Sequence, residues 1–320
     1  MPCHRVLLTR ALVGLNILLW FAGSSLAADP GSPGKLTVTW LAMPIHGLAV
    51  VLESPAGHVI VIDAGGRDAK LNDYDAGRDA IAPYLRSRGH QQIKAIAISH
   101  PHGDHYGGAA WLLENYPVGE FVDSGYEGRG LSDDYRLVRK LAQAKSTYRR
   151  AQAGARLAWD NQLEVEILSP PTNFLELDSD PQKITEHGLL NGNSLVLRIR
   201  HGDHTFLFPG DAYGMGQRYM LTQTPSDKLL ATVLTAPHHG FNSSPEFVAA
   251  TRPSIVVASC LADYPGSNIR SPADQAIKMY SPVGATVYAT CRHGRVQLVS
   301  DGKSYEVNTE LTPPANQPKP

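Results

Sequence analysis

The stretch His100-Pro101-His102-Gly103-Asp104-His105 places four imidazole or carboxylate groups within six residues. It follows the apolar run Ile93–Ile98, so a buried strand is expected to end where these groups begin. Imidazole with carboxylate is a zinc donor set, and a catalytic zinc takes three protein ligands and keeps a position open. Four groups in so short a loop cannot easily wrap one ion, which divides them into His100 with His102 and Asp104 with His105. Two more apolar runs end in donors. Phe206–Gly210 leads into Asp211, placed to bridge two cations, and Val233–Pro237 leads into His238 and His239. Two zinc ions are therefore expected, with manganese as the alternative metal.

Donors leaving several strands need a sheet edge to hold them, and the surrounding pattern supplies the strands. Lys35–Leu41, Leu48–Glu53 and His58–Asp63 read as strands joined by tight turns, followed by a helix at Ala76–Ser87. Strand Ile93–Ser99 and helix Ala109–Asn115 flank the His-rich loop. Leu163–Leu168, Ser194–Arg200, Thr205–Pro209, Lys228–Thr235, Ile255–Ser259 and Ala285–Ala289 read as later strands, with helices at Ser244–Ala250 and Pro272–Tyr280. Two blocks of strands with helices between them predict an α/β fold of two sheets between outer helices. Asp63, at its strand end, is expected in a turn or beneath the ligands, because ligating histidines donate their second N–H to a carboxylate or carbonyl. His46 sits in a turn that could line the site.

A long helix is expected over Ser132–Ala153, with Ser132 as N-cap and Asp133 and Asp134 at its positive end. Arg139, Lys140, Arg149 and Arg150 form either a solvated face or a cationic rim for a phosphate-bearing substrate. Charge over the whole chain does not favour polyanions. The 29 basic and 30 acidic side chains nearly cancel, whereas nucleic-acid binders are usually basic.

The first residues differ from the rest. Arg5 and Arg10, the apolar run Ala11–Phe21 and the small residues around Ala27 read as a secretory signal over residues 1–27. A hydrolase domain over 28–311 and a Pro-rich tail over 312–320 follow. The run is too short for a spanning helix, so a periplasmic or secreted protein without stable membrane insertion is expected. Export permits a disulfide between Cys260 and Cys291. Each follows a short strand, and a β-α-β unit sets such strands parallel and often adjacent.

Through HxHxDH at His100–His105 the chain resembles the metallo-β-lactamase-fold hydrolases. Within that superfamily it is similar to the hydrolase domain of ComEC-type DNA-uptake proteins. That likeness runs through Val61-Ile62-Asp63-Ala64-Gly65-Gly66, Ser99–Gly108, Asn191–Leu197, Pro209-Gly210-Asp211 and Pro237-His238-His239-Gly240. The resemblance implies a four-layer αββα sandwich. It also implies His100 and His102 on the first zinc, Asp104, His105 and His238 on the second, and Asp211 bridging. The superfamily's usual third histidine for the first zinc is missing, and Asn191 and Asn193 stand in its place, with His187 as a nearby alternative. His239 is expected behind the ligands or facing substrate, because adjacent side chains rarely point at one ion, and it or a nearby group would help protonate the leaving group.

Such a pair of ions shares a hydroxide nucleophile at neutral pH, which Asp104 or Asp211 would orient. The resulting expectation is an exported dinuclear zinc hydrolase acting on a small-molecule or nucleic-acid phosphodiester. An amide or ester hydrolase (a lactamase or lactonase) and a non-catalytic binding protein are the competing readings. The chain departs from the ComEC pattern at Ala42–Leu48, at Arg270-Ser271-Pro272 and at Cys291, all of which bear on substrate handling. The oligomeric state is left open.

Overall fold

Runs of β-branched residues build the strands, and their alternation decides what each face covers. In a computed structural model, residues 34–176, 185–261 and 271–312 are described. The expected leader, residues 1–27, lies outside them, as does the expected tail apart from its first residue. Leu36–Trp40 (β1), Ala49–Glu53 (β2) and Val59–Ala64 (β3) form an antiparallel meander. Ile93–Ala97 (β4), Val118–Asp123 (β5) and Thr147–Arg150 (β6) extend it in parallel.

A second sheet takes Arg156–Leu157 (β7), Glu164–Ser169 (β8), Val196–His201 (β9), His204–Phe208 (β10), Val233–Thr235 (β11), Ile255–Ala258 (β12) and Thr286–Ala289 (β13). Its order runs β13-β12-β11-β10-β9-β8-β7, with β10 to β13 parallel. Val296–Ser300 (β14) and Tyr305–Thr309 (β15) return to the first sheet, ordered β15-β14-β1-β2-β3-β4-β5-β6.

Period-two patterning separates two kinds of core on each strand. Val50, Leu52, Ile60 and Ile62 meet Leu197, Ile199, Phe206 and Phe208 in the layer between the sheets. Their neighbours Ala49, Val51, Val59 and Val61 face outward, packing with Leu85, Leu112, Leu113 and Val138 of the helices over the first sheet. Met220, Phe247, Ala276 and Tyr280 cover the second sheet in the same way. The architecture is thus helix, sheet, sheet, helix. Trp40 Nε1 donates to Thr235 Oγ1 at 2.9 Å, joining the sheets near the ends of β1 and β11.

Two expected elements are shorter than predicted. The helix expected over Ser132–Ala153 runs only from Asp133 to Lys145, and Thr147–Arg150 is the edge strand β6. Ser132 caps it as expected, accepting from Tyr135 N at 3.2 Å. At the other end Ser146 Oγ donates to Ala142 O, a local bond that competes with helix continuation. Tyr148 then stacks over Phe121, with ring centroids 6.4 Å apart, and donates to Asp123. The strand expected over Lys228–Thr235 begins at Val233, because Ser226–Leu229 closes a helical turn.

Parallel pairing of β12 with β13 sets Ala258 opposite Ala289. Cys260 and Cys291, each two residues further on, form a disulfide with Cα atoms 5.2 Å apart. Closing a loop with a sequence separation of 31 restricts the unfolded chain by about 3–4 kcal/mol. Replacing both cysteines by Ala should lower the urea-unfolding free energy by that order. An unchanged midpoint at equal slope would mean that the link adds no stability.

Candidate metal centre

The site residues sit just beyond the C-terminal ends of parallel strands, where open α/β sheets place ligands. Asp63 is in the last turn of β3, His100 to His105 follow β4, Asp211 follows β10, and His239 follows β11. The two sheets meet here through Leu195 N donating to Ser99 O at 2.7 Å and Ser259 Oγ donating to Gly47 O at 2.7 Å. Close backbone approach explains one glycine of the His-rich loop. A Cβ on Gly108 would lie 2.2 Å from Gly77 N and 2.6 Å from Ala64 O.

Two donor groups overlap at Asp211. Asp104, His105, Asp211 and His239 offer ligand atoms within 4.8 Å of one another, as do His100, His102 and Asp211. Asp104 Oδ2 is 3.2 Å from His239 Nε2 and 3.7 Å from His105 Nε2. Asp211 Oδ1 is 3.2 Å from His105 Nε2, and its Oδ2 is 3.7 Å from both His100 Nε2 and His239 Nε2.

The outer hydrogen bonds determine which ring atoms face inward. His105 Nδ1 donates to Asp63 Oδ2 at 2.8 Å, and His239 Nδ1 donates to the Ser259 carbonyl at 3.1 Å. In the neutral rings both Nε2 atoms therefore carry lone pairs, yet they face each other at 3.2 Å. Two carboxylate oxygens close on the same space. Acceptors crowded in this way repel unless a cation or a proton lies between them. Asp211 Oδ1 and His102 Nε2 are buried and have no hydrogen-bond partner, a condition expected of metal ligands rather than of ordinary buried polar atoms. The donor set fits a divalent metal, and the shared carboxylate fits two.

The electrostatics follow from this crowding. Burial, and then the neighbouring His105, hold His100 well below its ordinary pKa, while burial above all lowers His102 to about 4. Both imidazoles are thus neutral and ready to ligate. For His105 burial also disfavours charge, but Asp211, Asp63 and Asp104 outweigh it and raise the pKa well above the usual value. Burial favours protonation of Asp104 and Asp211 as well, and it is outweighed, chiefly by His105, so both stay ionised.

Asp63 anchors the arrangement as its strand-end position predicts. It is fully buried, accepts from Ser99 N at 2.7 Å and Ser99 Oγ at 2.8 Å, and holds His105. Its φ of 56° is left-handed, a conformation that Asp tolerates better than most residues. His46 does border the site, with Nε2 3.3 Å from Asp104 Oδ2 and its ring centroid 3.9 Å from that of His239.

The paired histidines exchange the roles expected of them. His239, not His238, enters the cluster, while His238 stacks on Tyr213 at 5.0 Å and meets Asn242 Nδ2 at 2.8 Å. Both have positive φ, 49° and 60°. This strained turn directs the second ring inward and leaves the first 3.9 Å from Asp211 Oδ2. The His239 ring lies within the donor cluster, with Nδ1 on the Ser259 carbonyl and Nε2 facing Asp104.

Asn193 does not complete the first metal. Its side chain is consumed by Leu175 N, Leu175 O and Leu189 O. Asn191 Oδ1 is buried without a hydrogen-bond partner, and the His187 ring lies 4.5 Å from that of His102, so these two remain beside the first donor group.

The cationic rim is not assembled either. Arg139 is buried, bonding Asp123 at 2.8 Å, Glu127 at 2.5 Å and the Tyr126 carbonyl at 3.1 Å. It lies on the inner stripe with Tyr135, Val138 and Ala142, where a helix period puts it. Arg149 pairs with Glu120, and both Arg149 and Arg150 belong to edge strand β6. Lys140 is exposed on the helix.

His239→Ala should lose about one equivalent of bound zinc by elemental analysis, and His238→Ala should keep it. The reverse pattern would restore the expected assignment. Asp63→Asn should weaken zinc binding by ~10–100-fold, as loss of a ligand's outer partner does. Because the raised pKa of His105 favours a proton that a metal must displace, metal affinity should rise with pH above the ordinary imidazole range. A flat profile would mean that His105 is not a ligand.

Residues 43–246 match the family described as the metallo-beta-lactamase superfamily. ComE operon protein 3 of Bacillus subtilis (strain 168) is 24% identical over 251 residues, which is 74% of this chain and 30% of that protein. Recombination protein 2 of Haemophilus influenzae is 27% identical over 182 residues, 56% of this chain and 19% of that protein. The chain therefore spans less than a third of the length of either relative. Among solved structures, a point mutant of the CmlA beta-hydroxylase shares the fold, with TM-score 0.54 and 15% identity over 82% of this chain and 53% of that one. With HxHxDH at the end of β4 and a family match over most of its length, the chain belongs to the metallo-beta-lactamase superfamily, as a metal-dependent hydrolase of ComEC-like sequence.

Proposed function

We propose that the protein is an exported, dinuclear zinc phosphodiesterase acting on a small diester. The observation that carries this reading is the sharing of Asp211 between two donor groups. A carboxylate placed to bridge two ions suits in-line displacement at phosphorus, in which attacking and leaving oxygens are both stabilised. When bound, the ions would supply Lewis acidity to the ester and acidify water for attack. The name of one relative, Recombination protein 2, points to a process on nucleic acid, whose backbone is a phosphodiester.

The chain's own groups have definable tasks. Asp104 keeps 28% of its side chain accessible while its Oδ2 stands 3.2 Å from His239 Nε2, so this ligand would also border the substrate. Asp63, through His105, and the Ser259 carbonyl, through His239, hold the ligand rings so that little reorganisation accompanies the reaction. A small diester is favoured over a long strand because Arg139 and Arg149 are spent on internal carboxylates. The pattern over residues 1–27 supports export, and among the described residues no helix is long and apolar enough to cross a membrane.

Purified protein should hydrolyse bis-p-nitrophenyl phosphate, lose activity with chelator, regain it with zinc, and leave nitrocefin intact. Asp104→Ala should lower kcat/KM at least ~100-fold, since losing a ligand costs no less than losing a ligand's outer partner. Hydrolysis of nitrocefin but not of the diester would replace this reading with the amide-hydrolase one.

A further inference from the structure

A cavity of about 870 Å³ is lined by Asp104 of the metal centre and by His46 beside it. That volume accommodates a substituent of small-molecule size. Its apolar lining comes from the Asp133–Lys145 helix, through Leu137, Val138 and Leu141, and from Ile45. Leu137 is 61% exposed, more than any other large hydrophobic residue described. With Val138, Leu141 and Ile45 it gives the cavity an apolar lining suited to an apolar group. Tyr106 adds an aromatic ring to the same lining.

The charges lining this cavity are mainly negative. Asp68, Asp73, Glu114 and Asp134 line it from three chain segments, and the one lining cation among the described residues is Arg67. Arg67 is already paired with Asp75 at 3.2 Å. Asp73 pairs with Arg78, but Glu114 and Asp134 have no ion-pair partner among the described residues. Carboxylates around a cleft with apolar walls focus negative potential into it. An anionic strand would be repelled, and an apolar cation would satisfy both the walls and the rim.

We propose that this cavity binds the non-reacting part of the substrate, and that this part is an apolar group carrying a positive charge. The inference rests on the phosphodiesterase reading only in taking the metal centre as the reacting end. Its natural substrate is then an ester whose one arm is an apolar amine or quaternary ammonium, not a polynucleotide.

The test is direct binding, which does not depend on turnover. Benzyltrimethylammonium, benzyl alcohol and benzenesulfonate, similar in size and differing in charge, are titrated into the full-length protein by calorimetry. The cation should bind at least about fivefold more tightly than the alcohol, and the sulfonate more weakly than either. The double variant Glu114→Gln/Asp134→Asn, altered at exposed positions, should lower affinity for the cation about fivefold and leave the alcohol unchanged. Leu137→Ser should weaken both. Equal binding of cation and alcohol, tighter binding of the sulfonate, no binding of the cation, or a double variant that binds the cation unchanged would each overturn the proposal. Failure to cleave bis-p-nitrophenyl phosphate would instead sink the phosphodiesterase reading and leave the binding result standing.

Discussion

Two imidazole nitrogens and two carboxylate oxygens lie within 4.8 Å of one another, and only a proton on a ring nitrogen or a cation can hold them together. Holding four acceptors in contact costs free energy that the rest of the fold must supply, unless a cation relieves it. Most of the unusual local structure is the means of imposing that contact. The left-handed backbone at Asp63, His238 and His239 persists because strands on both sides over-determine it. The buried Asp63 carboxylate, taking three hydrogen bonds, removes any freedom for the His105 ring to turn away.

The fold supplies this rigidity by making each ligand an extension of a strand. β3 and β4 pair in parallel in one sheet, and β10, β11 and β12 in the other, so their C-terminal ends present side chains at one edge. The disulfide belongs to the same arrangement. Cys260 directly follows Ser259, whose carbonyl fixes His239, and it ties that segment to the end of β13. A covalent link placed there steadies a ligand's outer partner as well as the whole domain.

Much of this was legible in the sequence, for physical reasons. Strand and helix positions follow from period and turn residues, and the His-rich loop follows from donor density, because few other patterns put four ligands in six residues. The disulfide was legible because each cysteine follows a short strand of one β-α-β unit, and the parallel register then carries both equally far past paired alanines. What failed is instructive. His238 and His239 differ only in which side of a strained turn each ring occupies, and no residue type announces two consecutive positive φ values. Arg139 reads as a surface cation, but the carboxylate that buries it, Asp123, lies 16 residues earlier in the chain on β5. Asn193 reads as a ligand by position, although its amide serves the backbone of Leu175 and Leu189.

Arg139 also explains how the substrate face acquired its sign. A helix with several cations would ordinarily offer a positive rim, but this one turns its central guanidinium inward to a buried Asp123, Tyr135 and Tyr148 cluster. Left toward the metal centre are Leu137 and Leu141, with Asp134 at the helix start. The helix therefore lends apolar and acidic positions to the cavity that Asp104 also lines, and turns Arg139 to the interior. Under the proposed reading, metal chemistry and substrate choice would fall to different parts of the chain. The strand ends would carry the first, and one helix face together with the loop after β3 the second.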